Sequence, residues 1–412
     1  MAPTGRVERV EVAVVGGGPA GAATAAMLAR AGRRVVVFER APAWRWHASG
    51  VFASPAAVAA LRRIDVTAPI PGPLARPVPA MRVEIPGGPV ARLTYGDDGS
   101  LRAPAVGFDR EALDTGLLDL ATDAGAEVRR GAVVRGIEAP GPTGRSRLVV
   151  RLDEVDREVD ADLLVGADGI RSSIARGLGV ARTARLGTRV GLTFHVRDPR
   201  SDDVARDARM IVLDGAYCGL APVPGGRINV GIVLAGRRWR DALARDGAAT
   251  VVRRVLAAVP PAADDPVAWV DAERCDAIAG ASPVGHRVAH RAGDDWLLVG
   301  DAAGFLDPFT GEGLHRALVS AELAASAVHD RLGGHEAALT GYEHAMRARF
   351  GAKDAVSLMV QAFLARPNAF RYATHRLAER DAVRETMSLV MGDLVPARRA
   401  LDPRFLAALL RP

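Results

Sequence analysis

Lysine is nearly missing from this 412-residue chain. Lys353 is its sole lysine, and the rest of the 54 basic residues are arginine, so any lysine chemistry would have to use that one position. Cysteine is scarce too. Cys218 and Cys275 can form neither a disulfide framework nor a four-cysteine iron–sulfur site, and they read as small half-buried hydrophobes. No continuous run of about twenty apolar residues is present, so no membrane-spanning helix is expected. The opening MAPTGRVERVEV has no apolar signal-peptide core. A soluble, cytoplasmic protein is expected, with attachment to a membrane surface left open. Charge of one sign is not in large excess: 54 basic against 48 acidic residues leave a net +6, dispersed along the chain. Nucleic-acid binding would need a clustered basic patch, so no nucleic-acid partner is expected. Repeats and low-complexity tracts are absent.

What is present begins with Val10–Arg40, VEVAVVGGGPAGAATAAMLARAGRRVVVFER. Val12–Val15 reads as a buried strand running into Gly16, Gly18 and Gly21 at the G-x-G-x-x-G spacing. An alanine-rich helix then runs to Ala31, Gly32 stops it, and Arg33–Phe38 is a second strand closed by Glu39. Each glycine has a physical reason: Gly16 for the tight turn, Gly18 for backbone approach to a pyrophosphate, Gly21 for close helix–strand packing. The helix N-terminus offers free N–H groups to phosphates, and Glu39 can bind both hydroxyls of a ribose.

Beyond Arg40, the loop Ala41–Gly50 (APAWRWHASG) leads to a helix predicted over 54–63, with Ser54 as N-cap and Pro55 in its first position. Pro69–Pro79 is a proline-rich connection, Ala80–Tyr95 a hairpin turning near Gly87-Gly88, and Asp109 caps a helix over Arg110–Ala124. Short strands follow over Glu127–Glu138 and Leu148–Val159. Leu163–Gly179 repeats the strand, glycine turn and helix of the opening. From about Ala184 to Ala279, the segments Arg189–Val196, Arg209–Leu213, Tyr217–Pro222 and Arg227–Leu234 predict one antiparallel sheet inserted as a second domain. A helix near Arg237–Val259 interrupts it. Trp296–Asp301 is a buried strand, Gly311–Leu332 a helix, and the chain from Tyr342 onward is mostly helical.

Three stretches, Gly16-x-Gly18-x-x-Gly21 with Glu39, Asp168-Gly169, and Gly300-Asp301 followed by Pro308 and Gly311-Glu312-Gly313, together resemble one family. It is the FAD-dependent oxidoreductase superfamily of aromatic hydroxylases (group A flavin monooxygenases), geranylgeranyl reductases and flavin-dependent halogenases. The resemblance spans about residues 1–335. It implies an α/β fold with a Rossmann-type, glutathione-reductase-like FAD-binding domain in three parts, 1–79, 101–183 and 281–335. A substrate-domain hairpin at 80–100, an inserted antiparallel β-sheet substrate domain at 184–280 and C-terminal helices at 336–412 complete it. FAD is the implied cofactor. Gly16, Gly18, Pro19, Ala20 and Gly21 would meet the pyrophosphate and Glu39 the adenosine ribose, with further contacts at Arg40, Arg45, Ser49 and Gly50. Arg110 matches an arginine that contacts the flavin's phosphate or ribityl part, and Val134 a position whose backbone meets the adenine. Asp168 and Gly169 fall where the family approaches the pyrophosphate and the nicotinamide donor. Gly300-Asp301 would bind the ribityl hydroxyls. Pro308, Gly311, Gly313 and Leu314 would set a helix N-terminus at the pyrimidine end of the flavin. That placement has its own logic, since reduced flavin carries negative charge near N1 and O2, which a helix N-terminus stabilises by roughly 0.5–2 kcal/mol.

A second G-x-G-x-x-G unit is missing. Either NADPH or NADH docks transiently as reductant, or a separate flavin reductase or redox partner reduces the flavin. A halogenase needs a lysine beside the flavin, and Lys353 lies outside that position. The loop Arg45–Val51 loosely resembles the hydroxylases' R-x-R-x-G-V, with one extra residue, while the reductases prefer a cysteine-glycine-rich segment there. Gly304 stands where many hydroxylases have histidine, and DPFTGEG at Asp307–Gly313 is similar to the reductases. So is Tyr217–Gly231, which matches Y-x-W-x-F-P followed by V-G except that Gly219 and Ala221 replace two aromatics that line a lipid cavity.

The expected function is a monooxygenase of secondary metabolism, hydroxylating an aromatic or polyketide-like small molecule through a flavin C4a-hydroperoxide. The alternatives are a geranylgeranyl-reductase-like enzyme saturating C=C bonds and a non-catalytic flavin-binding subunit. Candidate catalytic groups are His47, His195, Tyr217 and His315. Thr193 and His195 alternate with Leu192 and Phe194, which gives that strand one polar face. His315 lies one turn into the helix aimed at the flavin. The C-terminal helices, with apolar and arginine-rich faces, are expected to pack on the FAD domain or cap the substrate entrance, with a membrane-surface or dimer face as the other reading. A monomer or dimer without a metal site is expected.

Overall fold

The computed structural model describes residues 7–66, 72–95, 105–138, 145–184, 188–198, 200, 202, 205–261 and 268–411. The chain start through residue 6, the beginning of the Pro69–Pro79 connection and the end of the 80–100 segment lie outside the described residues.

Two seven-stranded sheets organise the chain. The first grows from the opening βαβ unit. Glu8–Val15 pairs in parallel with Val35–Glu39 on one side and Val155–Gly166 on the other. Helix α1 (Pro19–Arg30) lies across it on a face of alanines, buried from Ala22 to Ala26, and ends where Gly32 takes φ +79°. Expected as two separate strands, residues 155–166 form a single one. Its first half pairs with Ser146–Leu152 and its last three residues with Trp296–Leu298, so the edge opposite Glu8–Val15 serves two neighbours. Helix α2 (Pro55–Arg63), capped by Ser54, and α3 (Arg110–Asp123), capped by Asp109, form as predicted. Helix α4 (Ser173–Gly177) is much shorter than the opening pattern suggested.

The second sheet runs in the order Ala279–Ala281, Val190–Arg197, Arg227–Leu234, Ala216–Val223, Ala208–Leu213, Ala80–Glu84, Val90–Thr94. It is antiparallel with one exception. Ala208–Leu213 and Ala80–Glu84 are parallel, which their long connection through the first sheet permits. Alternation decides its two faces: Ile228, Val230 and Ile232 pack under α5 (Arg237–Ala257) with Val251 and Val255, while Asn229, Gly231 and Val233 face the other way.

Helix α6 (Gly313–Leu332) packs on α1, and α7 (Ala338–Leu364), α8 (Pro367–Glu379), α9 (Asp381–Met391) and α10 (Pro403–Leu410) roof that other face. Val356, Phe370 and Met387 share a core there with Val83, Val212 and Tyr217. Lys353 is buried in this roof, donating to Asp393 Oδ1 and the Val390 carbonyl, each at 2.8 Å. Cys218 is buried and Cys275 exposed, so neither is half-buried. No helix among the described residues is long and apolar enough to cross a membrane.

Candidate functional site

The glycine turn is fixed by contact distances. A Cβ on Gly16, at φ +107°, would lie 2.4 Å from the Ala167 oxygen, and one on Gly21 only 1.9 Å from the Gly16 oxygen. Gly18 differs: its backbone is extended, and a Cβ there would meet nothing within 4 Å. The missing side chain leaves space in front of α1. That helix starts with no side-chain cap, as does α6 after Glu312, whereas Ser54, Asp109 and Ser172 cap α2, α3 and α4. Helices α5, α7, α8 and α9 also lack a side-chain cap, but it is the N-termini of α1 and α6 that open together on one cavity of about 810 Å³ between the two sheets and the roof. Its size is near the upper end of the roughly 300–1,000 Å³ usual for small-molecule sites.

The sequence-selected residues gather around it. Gly16, Gly18, Pro19, Ala20, Glu39, Arg40, Arg45, Ser49, Gly50, Arg110, Val134, Asp168, Gly169, Gly300, Asp301, Pro308, Gly311, Gly313 and Leu314 all line this cavity. Gly21 does not, because it packs behind the turn. Glu39 accepts from the Gly17 N–H at 2.7 Å and the Ala41 N–H at 2.8 Å, which holds its carboxylate against the turn. Arg110 is buried, paired with Asp114 at 2.8 Å and donating to the Gly50 carbonyl at 2.6 Å, so it anchors the loop after Glu39. Trp44 and Trp46 pin the same loop through Asp114 and the Thr193 carbonyl. Asp168 spends one oxygen capping α4 at Ser173 and Ile174. Burial pushes the Asp301 carboxyl up to about 6, against the pull of Arg316 and Arg110.

The four catalytic candidates separate. Tyr217 lines the cavity and donates to Asp307 Oδ1 at 2.6 Å, while Asp307 also pairs with Arg189 and accepts from the Phe309 N–H. Burial and the Asp307 charge hold the phenol well above its usual range. His47 also lines the cavity, on an exposed loop. His195 does not: it is buried behind the wall, with Nδ1 2.6 Å from Asp276 and the Trp46 ring tilted against it, centroids 4.4 Å apart. Burial lowers its pKa despite the Asp276 charge. His315 does not reach the cavity either. It turns to Asp393, 3.0 Å away, and to Arg349, because the N-terminal turn of α6 presents Gly313 and Leu314 inward and the imidazole to the roof. Burial alone would raise the Asp393 carboxyl, but Lys353 and His315 hold it below the usual range.

Residues 9–354 match the model of a family described as FAD binding domain. The chain belongs to that family. It is an FAD-dependent oxidoreductase, similar over 403 residues to the menaquinone reductase of Mycolicibacterium smegmatis, at 30% identity and 94% and 92% coverage of the two chains. It is 26% identical to a digeranylgeranylglycerophospholipid reductase of Methanothrix thermoacetophila over 375 residues, covering 87% and 88%. Its fold matches a geranylgeranyl bacteriochlorophyll reductase-like protein from Thermoplasma acidophilum, at TM-score 0.73 and 21% identity, over 98% and 97% of the chains.

The cavity's residues fit FAD. Gly18 leaves room for a pyrophosphate at an uncapped helix N-terminus, and Arg40, Arg45 and Arg110 also line the cavity. Asp168 Oδ1 and the Thr310 hydroxyl are buried without a hydrogen-bond partner among the described residues. Sequence reasoning missed Thr310, Phe309, Asn229 and the inner faces of α7 to α10. Asn229 was visible in principle, since RINVGIV alternates, but a single polar residue in a strand does not reveal which face is covered.

Proposed function

We propose that the protein is a reductase that saturates a C=C bond in the isoprenoid part of a quinone or lipid substrate. The observation that carries this reading is the apolar arm of the cavity. From Tyr217 and Phe309 it continues past Phe363, Phe370, Met387 and Met391 between α7, α8 and α9. Gly219 and Ala221, whose small size spoke against a lipid, leave an open wall, and the roof helices supply the apolar lining instead. The two relatives named above are reductases, one named for a menaquinone and the other for a geranylgeranyl phospholipid, which supports a reductive reading on an isoprenoid substrate. When bound and reduced, FAD would supply a hydride to one carbon of such a bond, with a proton from the medium completing the addition at the other. The chain's own part is to hold the ribityl and phosphate groups at Asp301, Gly18 and Arg110, to keep water from the arm, and to tie the arm's wall to the Pro308–Thr310 turn through Tyr217 and Asp307. Electrons would come from NADPH, NADH or a separate redox partner. One observation favours hydroxylation as the second reading: the loop Arg45–Val51, similar to that of the hydroxylases, lines the cavity.

The test is anaerobic reduction of FAD-loaded protein with dithionite, followed by an isoprenoid naphthoquinone or a geranylgeranyl lipid and mass spectrometry. Two added hydrogens that remain in the isoprenoid chain after the ring has been reoxidised in air support the reductase. A product with one added oxygen, formed from an aromatic polyketide in air, would replace it with the hydroxylase.

A further inference from the structure

Across the cavity face of the second sheet, strand register brings the smallest residues side by side. Gly219 pairs with Gly231, Gly231 with Thr193, and Thr193 with Ala279. They form a shallow trough, closed at one end by Met210 opposite Gly219. One bank is the pair Tyr217 and Val233. The other is Asn229.

Nothing in the chain requires glycine at these two positions. Neither Gly219 nor Gly231 has positive φ. A Cβ on Gly219 would first meet Met210 Cε at 3.4 Å, an ordinary contact, and one on Gly231 only Asn229 Oδ1 at 4.0 Å. Glycine inside a strand is destabilising relative to alanine, and here no close backbone approach offsets that. Gly107 shows the contrast, since a Cβ there would lie 1.9 Å from the Pro222 oxygen. The bare floor is therefore explained by what lies on it.

The polar bank is oriented from behind. Asp276 accepts from the His195 backbone N–H at 2.8 Å and pairs with Nδ1 at 2.6 Å. This keeps a proton on Nδ1 and leaves Nε2 to accept from Asn229 Nδ2 at 3.3 Å. The same amide nitrogen donates to Thr193 Oγ1 at 3.1 Å. With both amide hydrogens engaged, Asn229 turns Oδ1 toward Gly231 and the trough, and Thr193 retains a hydroxyl hydrogen to give. The bank thus offers one acceptor and one donor beside a flat apolar floor.

We infer that this trough seats an oxygen-bearing planar ring, a quinone, hydroquinone or phenol, whose isoprenoid chain leaves along the apolar arm. The inference rests on the reductase reading and narrows it, because a saturated glycerol head would leave the floor unfilled.

The test is titration of the FAD-loaded protein with 2,3-dimethyl-1,4-naphthoquinone, followed through the flavin absorbance difference. The wild type should saturate. Gly231→Val should weaken binding at least tenfold with FAD content unchanged and the melting temperature at or above that of the wild type. Asn229→Leu, which keeps the floor and removes the acceptor, should weaken it several-fold. If Gly231→Val does not fold, Gly219→Leu on the neighbouring strand carries the same test. No binding by the wild type, or equal binding by wild type and the floor variants, overturns the seat. A parallel assay of chain saturation by the reduced protein keeps the two readings apart. Saturation with unaltered ring binding in Gly231→Val overturns the seat alone. Ring binding lost in Gly231→Val, with no saturation of any isoprenoid, supports the seat and overturns the reductase.

Discussion

Gly18 and Gly21 belong to one motif, yet substitution should break the protein in two different ways. Valine at Gly18 enters open space, with φ −71° and ψ −179° that a β-branched residue adopts readily. The unfolded chain loses freedom at the same time, so Gly18→Val apo-protein should melt at or above the wild-type temperature. Its FAD affinity should collapse, because the side chain occupies the approach of the pyrophosphate to the N-terminus of α1. Loss of two hydrogen bonds to a charged phosphate, at roughly 1.5–3 kcal/mol each, removes about 3–6 kcal/mol. That corresponds to about two to four orders of magnitude in Kd. Gly21→Val meets the Gly16 oxygen at 1.9 Å and Ala167 Cβ at 2.9 Å. Helix α1 must retreat from the strand, an overpacking that costs roughly 1–3 kcal/mol or more, and apo-protein stability falls before any ligand is involved. Fluorescence titration with FAD and thermal melts of both apo-variants separate the two effects. Wild-type FAD affinity in Gly18→Val, or a strongly destabilised Gly18→Val apo-protein, would refute the reasoning.

Three further outcomes follow from the buried polar groups. Asp393→Asn leaves Lys353 buried without its counter-charge, and urea unfolding should register a loss of about 3–5 kcal/mol, much of it recovered when Lys353 is replaced by Met as well. Because the folded Asp393 carboxyl lies below its ordinary 3.8, its contribution is complete above that pH and is lost as pH falls further. Asp301 has the opposite sign: its folded value of about 6 against 3.8 means that the folded apo-protein keeps a proton the unfolded chain releases. Its share of stability should decline as pH rises from about 4 to 6, and Asp301→Asn should flatten the melting temperature across that window. Tyr217→Phe should retain FAD but lose about 1–2 kcal/mol in urea, since Asp307 Oδ1 loses the shorter of its two buried hydrogen bonds and keeps only the Phe309 N–H.

Much was legible before any coordinates, for a local reason. Gly18, Gly21 and Glu39 act on the turn at the start of α1 within a few dozen residues, so spacing alone carries the information, although Ala167, far along the chain, also presses on Gly16 and Gly21. The same holds for the caps at Ser54 and Asp109 and for the alternation that marks the strands of the second sheet. The histidines show the limit. His195 and His315 have the composition of catalytic groups, but their roles depend on Asp276 and Asp393, each more than 70 residues away along the chain. No periodicity encodes a partner at that separation. The parallel pairing of Ala208–Leu213 with Ala80–Glu84 and the split partnership of Val155–Gly166 are likewise matters of register between distant strands.

The sequence by itself determined the dinucleotide cradle, because Gly18 and the start of α1 are a local arrangement that needs no other part of the chain to be recognised. Tertiary structure alone decided the substrate side. Gly219 and Ala221 in isolation suggest a wall stripped of its lipid-lining aromatics. Packed under α7, α8 and α9, the same small residues become the floor and flank of an apolar cavity, because the hydrophobic lining is supplied from helices that follow more than 100 residues later.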